Sequence, residues 1–173
     1  MAERISIGDA APDFDLSSTE EALLTLRDEI PRATVLVYFF LDMSSERVKR
    51  DLATLASRSS ELAESHAKVL AVSTAKMPVL KQLQVELNLP FPLLRDDRSF
   101  SSEYGIEEAD EGEEASPALF LIDSQQVIAW LANPVTSVDD AMPQVLKSLQ
   151  GQGSPTGNYP KSVINRVVDR WVN

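Results

Sequence analysis

Residues 34–41 read Thr34-Val35-Leu36-Val37-Tyr38-Phe39-Phe40-Leu41, eight β-branched, aromatic or leucine positions with no alternation of polar side chains. A strand with one wet face would alternate, so this pattern predicts a strand covered on both faces in the middle of a sheet. Outward from it the chain predicts alternating helices and strands. On the C-terminal side, Val48, Leu52, Leu55, Ala56 and Leu62 recur at helical spacing, which predicts one long helix from Asp42 or Ser44 to about Ser65, its start capped by Asp42, Ser44 or Ser45. Val69 to Val72 predicts a second buried strand. Pro78 to Leu87, with its proline near the first turn and Val79, Leu80, Leu83 and Leu87 as its apolar face, predicts a second helix.

The segment Pro90 to Leu94 is extended by its prolines, Ser99 to Tyr104 predicts a short helix, and Gly105 its stop. Ala118 to Ile122 and Val127 to Leu131 are apolar strands joined by Asp123-Ser124-Gln125-Gln126, which suits a hairpin, and a helix follows from about Asp139 to Leu149. On the N-terminal side, Ala11 to Leu16 alternates apolar and acidic residues around a proline, predicting a short half-buried edge strand, and Leu23 to Leu26 a second. Strands alternating with helices and ending in a hairpin predict an α/β protein with a central mixed sheet flanked by helices. Tyr38 and Trp130 are expected in its core.

Composition narrows the function. The 173 residues suit one domain, and 16 basic against 27 acidic side chains give a net charge of −11, which opposes binding to nucleic-acid phosphates and anionic membranes. No signal peptide is apparent at the N-terminus, and Val35 to Leu41, the longest apolar run, is too short to span a bilayer, so a cytoplasmic location is expected. There is no cysteine, which removes disulfides, thiolate metal sites and every cysteine nucleophile.

Five segments in order, Ile7 to Leu16 (IGDAAPDFDL), Val35 to Phe40 (VLVYFF), Val69 to Ser73 (VLAVS), Leu89 to Asp97 (LPFPLLRDD) with Ser101 to Ile106 (SSEYGI), and Ala118 to Ile128 (ALFLIDSQQVI), resemble the peroxiredoxins. These are the alkyl hydroperoxide reductase and thiol-specific antioxidant (AhpC/TSA) family, and the likeness is strongest to its bacterioferritin-comigratory branch. It covers roughly residues 5 to 150 and implies a thioredoxin-like fold. In that family a Pro-x-x-x-Thr-x-x-Cys segment follows the central strand, an arginine precedes the late strand, and the cysteine thiolate in the helix's first turn attacks peroxide. Laid on this chain without gaps, the proline falls on Leu41, the threonine on Ser45, the cysteine on Val48 and the arginine on Pro117. Only a hydroxyl survives. A shift of a few residues would put Met43, Ser44 or Ser45 at the cysteine position, and none supplies a thiolate. Pro117 also stands where thioredoxin-like reductases carry a cis-proline.

The resemblance therefore implies a catalytically degenerate homologue, without cofactor or metal, that acts by binding a partner or a small ligand at a now apolar mouth around Leu41, Met43 and Val48. The alternative keeps an antioxidant or other activity through the Ser45 hydroxyl, a bound metal or Met43 oxidation. A serine hydrolase would need a base, and His66, the single histidine, stands some 20 residues past Ser45, expected exposed at the helix C-terminus. The acidic run Glu107 to Glu114 fails as an EF-hand, because Ala109 and Ala118 would occupy ligand positions, and reads as a solvated loop.

Residues 1–150 are expected to form the domain, 151–157 a glycine-rich linker and 158–173 a C-terminal amphipathic helix. In that helix Val163, Ile164, Val167, Val168, Trp171 and Val172 form one stripe and Lys161, Asn165, Arg166, Asp169 and Arg170 the other face. The stripe either packs on the chain's own body or forms a homodimer or protein-partner surface.

Overall fold

The structure, a computed structural model, describes residues 5–29, 33–41, 45–106 and 117–153, the last four of these by backbone alone. Three stretches with sequence-based expectations lie outside them: residues 42–44, the acidic run 107–116, and 154–173 with the predicted C-terminal helix.

The elements in chain order are β1 (Asp15–Ser18), β2 (Leu23–Thr25), α1 (Leu26–Glu29), β3 (Thr34–Phe39), α2 (Glu46–Ser57), α3 (Ser59–Glu64), β4 (Ala67–Ser73), α4 (Met77–Glu86), β5 (Leu93–Arg95), α5 (Ser99–Glu103), β6 (Ala118–Ile122), β7 (Ile128–Ala132) and α6 (Val138–Gly153). Seven strands form one sheet in the order β2-β1-β5-β4-β3-β6-β7. β3 pairs in parallel with β4 and antiparallel with β6, so the sheet is mixed, as the alternating pattern predicts.

The unalternating apolar run of β3 follows from having two cores. Leu36, Tyr38 and Phe40 face a cluster completed by α2, α3, α4 and α6, whereas Val35, Val37 and Phe39 face one completed by the N-terminal segment and α5. Every residue of β3 is buried. In the second core Phe100 stacks on Tyr104 with ring centroids 4.1 Å apart, Tyr104 meets Phe120 edge-on at 5.2 Å, and Phe14 meets Phe100 at 5.5 Å. The Tyr104 hydroxyl donates to the Pro12 carbonyl at 2.6 Å, tying α5 to the N-terminal segment. Burial, then the nearby Asp13 and Glu103 charges, raises the Tyr104 hydroxyl well above its ordinary pKa. Asp96, 1% exposed, accepts from the amides of Phe100 and Ser101 and so starts α5, which ends at Tyr104 and Gly105 (φ 68°) as expected.

Several boundaries differ from expectation for physical reasons. The first strand starts at Asp15, past Pro12, and lies between β2 and β5, so it is interior and β2 is the edge. Leu26 leaves the second strand to begin α1, its amide bonded to the Phe14 carbonyl at 3.3 Å. The long helix breaks at Arg58: the Ser57 hydroxyl donates to the Thr54 carbonyl at 2.8 Å and the Ser59 hydroxyl to the Ala56 carbonyl at 2.9 Å, the back-bonding by which serines bend helices. His66 is exposed just past α3, as expected, with φ 61°. Val79 is 44% exposed, and α4 buries only Leu80 and Leu83. Trp130 is half-buried, because β7 is the other sheet edge, whereas Tyr38 is fully buried. The last helix runs to Gly153, three residues into the stretch that reads as a linker.

Candidate functional site

β3 ends beside the start of β6, with Phe39 opposite Ala118. That register carries Leu41 and Pro117 to one end of the sheet, where α2 also begins. Ser45 caps α2, its hydroxyl accepting from the Val48 amide at 3.4 Å. Of the three expected caps, this one lies among the described residues and is observed. Val48, the third residue of α2, is 1% exposed and belongs to the core beneath α2. Leu41 is half-buried and packs against the opposite core. The apolar side chains expected to line a shared mouth are thus drawn to different sides of the sheet, because β3 hands alternate residues to its two faces.

Arg47, one residue before Val48, ties this end together. Its Nη2 donates to the Val135 carbonyl, and the Val135 amide donates to the Pro117 carbonyl at 2.8 Å. The start of α2 is thereby joined, through the segment after the cis Asn133–Pro134 bond, to the start of β6. A guanidinium is present at this end of the molecule, on α2 and engaged with a backbone carbonyl. The bond into Pro117 involves Ser116, outside the described residues.

Beneath Arg47 lies a buried polar network. Asp51, 2% exposed, accepts from the Tyr38 hydroxyl at 2.8 Å and from the Val138 amide at 3.0 Å, joining α2, β3 and the first turn of α6. Burial, and then the Asp51 carboxylate, pushes the Tyr38 hydroxyl far above its ordinary pKa, with Arg47 opposing weakly. That phenol stays protonated at any physiological pH, so it donates to Asp51 and cannot act as a base. Neither Arg47 nor Asp51 was singled out from the sequence. The readable signal was an aspartate inside an apolar helical stripe, at positions 48, 51, 52 and 55.

Among the described residues no group of three or more histidine, aspartate or glutamate side chains could hold a metal ion. Likewise, no described helix is long and apolar enough to cross a membrane.

Comparison with known proteins bears directly on this end of the fold. The AhpC/TSA family model matches residues 7–131, a span that includes the β3–α2 junction and the start of β6. The chain belongs to the AhpC/TSA family. It is similar to a putative peroxiredoxin bcp of Coxiella burnetii, 27% identical over 103 residues, a match covering 59% of this chain and 68% of that one. Its fold is similar to that of peroxidoxin BcpB from Mycobacterium tuberculosis, with TM-score 0.77 and 18% identity over 85% of this chain and 97% of that one. A cysteine-to-serine mutant of Xylella fastidiosa PrxQ is equally similar, with TM-score 0.77 and 18% identity over 86% and 98% of the two chains. Mycobacterium bovis AhpC gives TM-score 0.74 and 23% identity over 91% and 99%. These likenesses establish the thioredoxin-like peroxiredoxin fold. This chain has Val48 in the first turn of α2, Pro117 just before β6, and no cysteine in its sequence.

Proposed function

We propose that this protein is a catalytically degenerate peroxiredoxin that acts by binding a protein partner or small ligand rather than by reducing hydroperoxides. The observation that carries the reading is the absence of cysteine from all 173 residues. Repeated cleavage of an O–O bond in this family requires a thiolate that is oxidised by the peroxide and restored by a reductant. An isopropyl group at position 48 can do neither. Three features of the site support the same reading. The Ser45 hydroxyl caps the helix, the Arg47 guanidinium bonds the Val135 carbonyl, and the Asp51 carboxylate is taken up by Tyr38 and Val138. Groups that could have served chemistry are engaged in holding the fold.

Purified protein supplied with hydrogen peroxide or cumene hydroperoxide and a thiol reductant tests the proposal. The expected result is peroxide loss no greater than stoichiometric oxidation of its four methionines. Sustained turnover by protein freed of contaminants would overturn it. Loss of that turnover in Ser45→Ala would then place the serine hydroxyl in a different chemistry.

A further inference from the structure

At the end of the sheet where β4 begins, opposite the Ser45–Pro117 end, the surface is hollowed. A cavity of about 320 Å³ is walled by Ala63 of α3, Val69 of β4 and Phe91, with Ser60 on its rim. A second, of about 230 Å³, is walled by Ala22 and Leu24 with Glu20 on its rim. Lys68, Pro90 and Pro92 line both, so the two form one groove across the ends of the strands. Its lining is largely apolar, and the lysine within it is already paired, Lys68 Nζ lying 2.8 Å from Glu29 Oε2. The unneutralised charge at its margin is acidic: Glu20 on the rim and Glu64 beside Ala63, both exposed.

The complement to this groove lies in the same chain. Residues 154–173 carry Lys161, Arg166 and Arg170 against Asp169, a net +2, whereas the preceding residues carry 13 basic and 26 acidic side chains, a net −13. An apolar stripe backed by basic residues matches an apolar groove with an acidic margin.

The topology puts the two within reach. β7 finishes at the end of the sheet where β3 finishes, since Ala132 pairs with Leu119 and Ala118 with Phe39. α6 then packs back along β7 and α2, and its 16 residues span about 24 Å. Its last residue, Gly153, therefore lies toward the end of the sheet that holds the groove. From β7 to β5 is four strand spacings, about 19 Å. Residues 154–160, extended, cover up to about 23 Å.

We infer that residues 161–172 of this chain fold back onto the groove between α3, the start of β4 and the Pro90–Pro92 segment, seating the Val163, Ile164, Val167, Val168 and Trp171 stripe against Ala63, Phe91 and Leu24. The occupant is the chain's own C-terminal segment, not a second copy.

The two tryptophans, Trp130 and Trp171, give a direct test. In full-length Trp130→Phe protein, Trp171 is the sole indole. It is expected to emit at short wavelength and to be shielded from acrylamide, equally at low and high protein concentration, from a species that elutes as a monomer. Adding Ala63→Arg on the exposed rim is expected to red-shift the emission and raise quenching without changing the far-ultraviolet circular dichroism. Should Ala63→Arg fail to fold, Ala22→Arg at the other end of the groove is expected to act the same way. Water-like emission in the parent overturns the inference, as does shielding that rises with concentration alongside a dimer. Shielding that survives a folded rim variant overturns the assignment of the groove.

Discussion

Ser45 shows how one hydroxyl can hold a helix start in place. Its hydroxyl accepts the Val48 amide at 3.4 Å, so Ser45→Ala is expected to lower unfolding free energy by about 1 kcal/mol, read by urea denaturation. Asp51 carries more. Removing its carboxylate strands two buried donors, the Tyr38 hydroxyl and the Val138 amide, and Asp51→Ala is expected to cost about 3 kcal/mol, with Asp51→Asn milder because an acceptor oxygen remains. The phenols give a pH signature. Burial raises the folded-state pKa of both Tyr38 and Tyr104 above the ordinary 10.0. Their contribution is fully present below that value, where folded and unfolded chains both hold the proton. It is lost as pH rises beyond it, because the unfolded chain ionises first and gains stability. Urea midpoints measured upward from pH 9 are therefore expected to fall steeply above about pH 10, and Tyr38→Phe should flatten that fall.

The elements show where local preference yields to surroundings. The periodicity from Val48 to Leu62 is continuous, yet serines at 57 and 59 bond back to the helix and split it at Arg58. Apolar spacing reports which face is buried and is blind to competition for carbonyls. In α6 the conflict runs the other way. Pro143 sits inside the helix, exposed, where it has no N–H for the Asp139 carbonyl. Pro143→Ala is expected to stabilise the protein by about 1–2 kcal/mol, the restored hydrogen bond outweighing the freedom returned to the unfolded chain, as a rise in thermal midpoint would show. The N-terminal strand illustrates a third case. Its alternation is real, but Thr19 and Ser18 dock it beside β5, with the Leu93 amide donating to the Thr19 hydroxyl at 3.1 Å, and this makes it interior.

For the whole molecule, net charge sets behaviour in solution. At −11, with an isoelectric point near 4.5, the protein is expected to pass unretained through a heparin column at neutral pH and to reach its solubility minimum near pH 4.5, followed by light scattering. The two-sided sheet explains how much of this architecture is readable in advance. A strand buried on both faces has to be central, and the proline-bounded and glycine-bounded segments around it bracket the remaining strands and helices. The order β2-β1-β5-β4-β3-β6-β7 is not readable that way, because it depends on pairings such as Ser17 with Arg95 between residues far apart in the chain. The site divides similarly. That positions 48 and 117 hold valine and proline is visible in the letters alone; that Arg47 and Val135 bridge them is not.

By itself the sequence determined the α/β class, the buried central strand and the absence of thiol chemistry, since each depends on which side chains are present and at what period. Tertiary structure alone decided the interior place of β1, the break at Arg58, the separation of Leu41 from Val48, and the Arg47–Val135–Pro117 and Tyr38–Asp51–Val138 connections. The physical reason is one of range. Periodicity and composition act among neighbours in the chain, whereas hydrogen bonds between buried groups are settled only when distant segments compete for the same donors and acceptors.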